Sequence, residues 1–275
     1  MIKDVVVHLS LDASRDTMND FAISVADIFQ AHISGIAFIY KPVLLTDDDA
    51  AIPDDLIDGL WAESQRRADT LTSAFNEAIR RTSLLSESRT LKSSITGAPS
   101  LFAKFARRFD LSIVGQTNPD HPENSHLMIE AALFESGRPV LIMPYVQKTG
   151  LTLDRVMVCW DGSRPAARAI ADSLPFLARA NTIEVVNITS QYVKGEDMSA
   201  SDIGQHLARH DLNIEIKRIV TSEAVSDVIL SRAAESSTDL IIMGGYGHSR
   251  LREFVLGGAT RGVLAAMTVP TLMAH

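Results

Sequence analysis

The chain has 275 residues, of which 46% are hydrophobic and 22% are charged. This composition excludes a disordered protein and indicates one large or two ordinary globular domains. The net charge of −8 argues against a surface for nucleic acid, which needs an excess of lysine and arginine. No apolar run reaches the roughly 18 residues of a membrane span, and residues 1–12 hold no apolar core of signal-peptide length. We therefore expect a cytoplasmic protein that binds neither nucleic acid nor a membrane.

Short apolar runs alternate with longer helical patterns along the first half of the chain. Five of these runs predict strands: DVVVHL (4–9), HISGIAFIY (32–40), SESRTLKSSI (86–95), DLSIVG (110–115) and RPVLIMP (138–144). Residues 41–84 add an acidic stretch and a long helical pattern from Leu56 to Ile79. Strands that are apolar nearly throughout and separated by helices predict a mostly parallel sheet covered on both faces.

The second half shows the same order of elements. Its predicted strands are RVMVCW (155–160), TIEVVNI (182–188), NIEIKRIV (213–220), DLIIMG (239–244) and VPTLMA (269–274). The similar segments DLSIVG and DLIIMG lie 129 residues apart, and Pro139 and Pro270 lie 131 apart. Nearly equal offsets indicate a tandem duplication. We therefore predict an α/β protein with two repeats, 1–147 and 152–275, each a five-stranded, mostly parallel, doubly wound sheet. The first repeat carries the extra segment 41–84.

Two glycine clusters flank the segment MGGYGHSRLREFVLGGAT, residues 243–260. The first follows a predicted strand at the carboxyl edge of the sheet, where open α/β proteins bind ligands. The second precedes a predicted helix, and together the clusters can present backbone amides to a phosphate. The chain lacks the Gly-Lys pair of a P-loop, and Arg250 occupies the third glycine position of a dinucleotide fingerprint. Neither of those phosphate motifs explains the glycines.

The spacing G-x2-G-x9-G, formed by Gly244, Gly247 and Gly257, resembles that of the universal stress protein family. Asp161, in the segment CWDGS directly after a strand, belongs to the same pattern. The resemblance covers both halves, so the chain looks like a tandem member of that family. It implies that the second repeat binds ATP, with or without Mg²⁺, and that the protein has a stress-response or regulatory role.

The resemblance also implies a role for individual residues. Asp161 would lie beside the ribose and adenine, Cys159 would line the pocket and Ile188 would contact the base. The ribose and phosphates would be bordered by Met243, Gly244, Tyr246 and Gly247, and the phosphate tail would be wrapped by Gly257, Gly258 and Ala259. His248 is a further candidate, because it can hold phosphate charge or simply be solvated.

Position 258 departs from the family pattern, because ATP-binding members carry serine or threonine there. Gly258 keeps its backbone N–H but loses a hydroxyl contact worth about 0.5–1.5 kcal/mol. Thr260, Ser249 or His248 could replace that contact, and spacing leaves the choice open.

The first repeat lacks most of the motif. Gly115 matches Gly244, but Gln116, Thr117 and Asn118 follow it, and Ser10 aligns with Asp161. We therefore expect no ATP site of this type in the first repeat. His121 and His126 with nearby acidic residues have a metal-like composition, but their spacing favours a polar loop over a metal site.

No nucleophile–base pair and no convincing pair of carboxylates occurs, which indicates at most slow ATP hydrolysis. Ser163 is interpreted as a helix N-cap, and the single cysteine, Cys159, as a buried, inert thiol. The alternative function is a nucleotide-free module for protein interaction or a small ligand, whose glycines serve turns and helix packing. The repeats are expected to pair through their final strands, around Leu141 and Leu272. A homodimer is allowed but not required.

Overall fold

The protein is an α/β structure whose strands are mostly parallel, as seen in a computed structural model. The structure describes residues 1–10, 15–41, 54–117, 125–190, 200–245 and 258–275. Two compact units divide these residues. The N-terminal unit contains Ile2–Arg138 with Lys148–Gly150, and the C-terminal unit contains Met1, Pro139–Gln147 and Leu151–His275. No helix in the described part of the chain is long and apolar enough to cross a membrane.

The described residues of the N-terminal unit form four strands and four helices. In chain order these are β1 (Asp4–His8), α1 (Arg15–Phe29), β2 (His32–Tyr40), α2 (Asp54–Ile79), β3 (Ser86–Ser93), α3 (Ala98–Ala106), β4 (Leu111–Gly115) and α4 (Ser125–Glu135). The strand order is β3-β2-β1-β4, and the pairs are parallel where β1 meets β2 and β4 and where β2 meets β3. Val5, Val6 and Val7 of β1 have no exposed surface, as expected for a strand covered on both faces.

Helix α2 accounts for most of the extra segment predicted between residues 41 and 84. It packs against β2, where a Cβ atom on Gly35 would lie 2.9 Å from the ring of Phe75. The absence of a side chain at Gly35 therefore lets the helix lie close to the strand, and Phe75 is fully buried beneath it. The acidic residues Asp47, Asp48 and Asp49 lie outside the described part of the chain.

Six strands and four helices are formed by the part of the C-terminal unit that the structure describes. Its elements are β5 (Val140–Met143), β6 (Arg155–Cys159), α5 (Arg164–Leu177), β7 (Thr182–Ser190), α6 (Ala200–Ala208), β8 (Ile214–Thr221), α7 (Val225–Glu235), β9 (Leu240–Gly244), α8 (Gly258–Ala266) and β10 (Thr271–Ala274). The strand order is β5-β10-β9-β6-β7-β8. All ten runs predicted to be strands are therefore strands in the structure.

Strand β5 is the exception to the parallel arrangement of the C-terminal unit. It pairs antiparallel with β10, and Leu141 lies opposite Leu272. All four residues of β5 are buried. The sequence places this strand at the end of the first repeat, whereas its contacts group it with the C-terminal unit.

An aspartate with the same role precedes β4 and β9. Asp110 accepts backbone N–H bonds from Lys3 and Asp4, at 2.8 and 3.2 Å. Asp239 accepts a hydrogen bond from the backbone N–H of Arg155 at 2.8 Å and another from the hydroxyl of Thr152 at 2.7 Å. In each unit the carboxylate thus fixes the start of the neighbouring strand, which explains why both similar segments begin with aspartate.

Close contacts show which helices cover one face of the C-terminal sheet. A Cβ atom on Gly244 would lie 2.5 Å from Ala166 N in α5, and one on Gly204 of α6 would lie 2.7 Å from the Ile216 side chain. The strand register places Gly244 and Ile216 on the same face. Helices α5 and α6 therefore share that face, while α7 and α8 pack against each other elsewhere in the unit.

Candidate functional site

A cavity of about 150 Å³ opens at the carboxyl edge of the C-terminal sheet. Strand ends form one wall and helices α7 and α8 form the other. The lining residues are Cys159, Trp160, Asp161, Val186, Ile188, Val225, Ile229, Met243, Gly244, Gly258, Ala259 and Thr260. A largely apolar concavity with a few polar groups at the carboxyl edge of parallel strands is the usual form of a small-ligand site in this class of fold.

Seven residues predicted from the sequence to form the site line this one cavity. They are Cys159, Asp161, Ile188, Met243, Gly244, Gly258 and Ala259. The other four predicted residues, Tyr246, Gly247, His248 and Gly257, lie outside the described part of the chain. The two glycine clusters are thus represented here by Gly244 at the end of β9 and Gly258 at the start of α8.

The strand register explains why residues far apart in sequence meet. Cys159 and Val186 are paired positions of β6 and β7, and the pairing of β6 with β9 brings Met243 beside Cys159. Paired positions in parallel strands direct their side chains to the same face. Ile188, two residues beyond Val186, extends that face toward the end of β7. These four side chains form the apolar floor of the cavity.

A tight turn places Asp161 at the mouth of the cavity. Gly162 adopts a positive φ of 75°, a conformation that glycine takes without steric cost. The backbone N–H of Ser163 then donates to Asp161 Oδ1 at 3.0 Å, and Ser163 Oγ accepts from Ala166 N at 3.2 Å. Ser163 is the N-cap of α5, with proline in the first turn, as predicted. The cap and the turn together orient the exposed carboxylate.

Gly244 and Gly258, the two glycines that line the cavity, differ in whether packing requires the absence of a side chain. A Cβ atom on Gly244 would lie 2.5 Å from Ala166 N and 2.7 Å from the carbonyl carbon of Pro165, so α5 can approach the sheet only because no side chain is present. A Cβ atom on Gly258 would meet nothing within 4 Å. Helix packing therefore requires glycine at 244, while packing against the described residues places no such requirement on 258.

Cys159 contributes a protonated thiol to the cavity wall. Burial, together with the smaller effect of the Asp161 and Glu184 carboxylates, raises the pKa of this thiol to about 12. The reactive thiolate is therefore scarce at neutral pH. The sequence predicts a buried, inert thiol at Cys159; the residue as a whole is only partly buried, and its raised pKa agrees with low reactivity.

Sequence reasoning missed the contribution of α7. Val225 and Ile229 lie one helical turn apart on the same face and line the cavity. Their spacing is visible in the sequence, but an apolar helix face does not reveal whether it covers a core or a cavity. Thr260 and Trp160 also line the site. Trp160 directly follows the last residue of β6 and flanks the cavity.

The polar groups of the cavity are few. Asp161 is the one charged side chain among the described lining residues, and none of these is lysine or arginine. The first backbone N–H groups of α8 lack partners within the helix, and a helix N-terminus favours an anion. No group of three or more metal-ligating side chains occurs among the described residues. The Trp160 Nε1 donor is the one buried side-chain nitrogen or oxygen in the described residues without a hydrogen-bond partner.

Comparison with known proteins identifies the domain that contains this cavity. Residues 152–275 match the model of the universal stress protein family. The C-terminal part of the chain belongs to the universal stress protein family. A universal stress protein from Synechocystis is 25% identical over 141 residues, which cover 49% of this chain and 46% of the relative. The match thus spans less than half the length of that curated relative.

Solved structures of universal stress proteins share the fold over nearly the whole chain. One from Archaeoglobus fulgidus has a TM-score of 0.70 and 15% identity, with 98% of this chain and 95% of that chain covered. A putative universal stress protein from Pseudomonas aeruginosa has a TM-score of 0.60 and 13% identity, with 98% and 92% covered. At these identities the likeness concerns the fold alone.

Proposed function

We propose that the universal stress protein domain binds an adenine nucleotide, ATP, in the cavity between β6, β7, β9 and helices α7 and α8. The observation that carries this proposal is the convergence of seven predicted site residues, from four separate segments, on one cavity. Through this nucleotide the protein would act as a stress-response or regulatory protein. A cytoplasmic location, pairing of the two repeats and homodimer formation remain predictions from the sequence.

The apolar walls suit the base. Ile188 and Met243 on the sheet side and Ile229 on α7 offer aliphatic surface on opposite sides of the cavity. A flat purine ring between such side chains is removed from water on both faces, and apolar burial contributes about 25 cal/mol per Å². These walls would supply most of the affinity for the base.

Asp161 suits a ribose. One carboxylate oxygen already accepts the N–H of Ser163, which holds the group in place, and an ionised carboxylate has further acceptor positions for two hydroxyl donors. The same negative charge repels a phosphate. The ribose would therefore lie beside Asp161, with the phosphates directed away from it.

The N-terminus of α8 is the proposed binding site of the phosphates. Gly258, Ala259 and Thr260 line the cavity at the N-terminus of this helix, and the helix dipole attracts an anion to such a helix start. Because the described lining residues include no lysine or arginine, this helix end is their main source of positive potential. The Mg²⁺ carried by ATP would be held by the phosphates, since no acidic metal site adjoins them in the described residues.

The arrangement supports binding and little catalysis. Asp161 is the one acid among the described lining residues, and in the proposed orientation it lies beside the ribose, away from the phosphates. The Cys159 thiol is protonated at neutral pH because burial raises its pKa. We therefore propose that ATP is held as a signal and hydrolysed slowly at most.

A titration of nucleotide-free protein with ATP tests the proposal. Ile188→Phe places a larger ring in the cavity and should weaken binding at least 100-fold, since the base loses its space. Val220→Phe is the matched control, because Val220 lies on the neighbouring strand β8, 62% exposed and outside the cavity. Equal ATP affinity in both variants would show that the nucleotide does not bind in this cavity.

The alternative is a module for protein interaction or for another small ligand. The close packing at Gly244 favours it, because a packing requirement alone accounts for that glycine. Wild-type protein that binds no ATP, and from which no nucleotide is released on denaturation, would establish this alternative instead.

A further inference from the structure

Helix α6 carries two exposed histidines one turn apart. The ring centroids of His206 and His210 lie 5.0 Å apart and the rings meet nearly edge to face, at 73°. On the other side of the helix, Gly204 and Leu207 are buried toward β8. Residues at i and i+4 share one helix face, so both imidazoles stand together on the solvent side of α6.

The end of the helix fixes the second histidine relative to the first. Asp211 adopts a positive φ of 60°, its N–H donates to Ala208 O at 3.1 Å, and the N–H of Leu212 donates to Leu207 O at 3.4 Å. This pair of bonds is the Schellman motif that closes many helices. His210 therefore occupies the C-cap position, and its backbone is ordered before any ligand binds.

The charges near the pair favour a cation. The C-terminal end of a helix carries partial negative charge on its last carbonyl groups. Asp202, one turn before His206, and Asp211 are both exposed and contribute two negative charges, against the single positive charge of Arg209. A dication placed between the rings would meet a net negative potential.

We propose that His206 and His210 form a bidentate site for a first-row transition-metal dication such as Zn²⁺. Two imidazole nitrogens at one turn of helix are a recognised chelating arrangement for Zn²⁺. Because no group of three such ligands occurs among the described residues, water completes the coordination. The site lies on the α5–α6 face of the sheet, outside the nucleotide cavity, and it does not depend on the proposed function.

The choice of metal follows from the ligands. Imidazole suits Zn²⁺, Ni²⁺ and Cu²⁺, with Cu²⁺ bound most tightly. Mg²⁺ prefers oxygen ligands and should not bind to this pair. Metal ligation requires unprotonated imidazole, so binding weakens as the pH falls.

Calorimetric titration with Zn²⁺ tests the site, using untagged full-length protein freed of nucleotide. His206→Gln and His210→Gln should each weaken Zn²⁺ binding at least tenfold, because a single imidazole loses the effective concentration of its partner. The double variant should bind Zn²⁺ at least as weakly as the weaker single variant, because it keeps neither imidazole. His126→Gln, at an exposed histidine of α4 that lacks such a neighbour among the described residues, is the matched control and should leave the affinity unchanged.

Wild-type protein that binds no Zn²⁺, or either single variant that loses less than tenfold, would overturn the assignment. Histidine ring NMR signals give a second measurement. Substoichiometric Ni²⁺ should broaden the signals of His206 and His210 together and before that of His126. Broadening of His126 first would contradict a chelating pair on α6. Circular dichroism of the variants should match the wild type, since both side chains are exposed.

Discussion

The carboxyl edges of the two sheets are built from corresponding positions with different side chains. In the C-terminal unit, Cys159 ends β6 and Ile188 lies near the end of β7, and both line the cavity. The same register positions of the N-terminal unit hold His8 and Phe38. The His8 ring packs against Phe38 and Phe102, with centroid distances of 5.8 and 5.6 Å. Aromatic rings thus occupy one edge where smaller side chains leave a cavity at the other.

From this difference we predict that two or three side chains decide whether such an edge can accept a ligand. The sequence predicts no ATP site in the first repeat because glycines are missing after β4 and Ser10 replaces the aspartate. The rings of Phe38 and Phe102 give an independent reason for the same expectation. Strand order and register alone do not distinguish the two edges, since β3-β2-β1-β4 and β8-β7-β6-β9 are parallel strands in the same order.

The largest expected effect is a loss of stability when an aromatic ring is removed from the carboxyl edge of the N-terminal sheet. Phe102 has no exposed surface, so Phe102→Ala should lower the free energy of unfolding by about 3–5 kcal/mol. Phe134→Ala removes the same ring from a site that is 44% exposed and should cost less than about 1 kcal/mol. Urea denaturation measures both. Equal losses in the two variants would show that the rings at this edge do not hold the unit together.

The next effect is a pH dependence that only the N-terminal edge should show. Burial lowers the pKa of His8 from 6.5 to about 4, so between these values the unfolded chain binds a proton that the folded chain does not. Stability is therefore full above pH 6.5 and falls as the pH drops toward 4, by about 3 kcal/mol.

His8→Phe removes the titrating group while keeping an apolar ring. The free energy of unfolding of the wild type minus that of the variant should fall by about 3 kcal/mol between pH 7 and pH 4, because other groups cancel in the difference. Urea denaturation at a series of pH values gives this quantity. A difference that does not change with pH would place the His8 ring in contact with water.

Some features of the site could be predicted from the sequence and others could not. Most of the ten strands follow from apolar runs, and the polar strand β3 follows from its place in the repeated order of elements. Asp161, Ile188 and the glycines follow from their places at strand ends and in the family pattern. The packing role of Gly244 depends on how closely α5 approaches β9, which no local pattern contains. Val225 and Ile229 indicate an apolar helix face, but the element that this face packs against is determined by the tertiary structure. The grouping of β5 with the C-terminal unit likewise depends on a strand pairing between distant segments.

The smallest expected effect concerns position 258. Gly258→Ser restores the hydroxyl that ATP-binding family members carry, and the space around its Cβ is open. The variant should bind ATP roughly two- to tenfold more tightly, equivalent to about 0.5–1.5 kcal/mol, as measured by calorimetry. Gly244→Ser is the contrasting variant, because its side chain would meet Ala166 and Pro165 and should destabilise the domain. ATP affinity that is unchanged by Gly258→Ser would place the phosphates away from the start of α8.

Hydrogen exchange with and without ATP tests the central claim most directly, since it compares both edges in one molecule. The account predicts that ATP slows exchange of the amides at the start of α8, Gly258 to Thr260, and around Asp161. The amides of Leu9 and Gln116 at the edge of the N-terminal unit should exchange at unchanged rates. Protection at the N-terminal edge, or no protection at the start of α8, would contradict the assignment of the nucleotide to the C-terminal cavity.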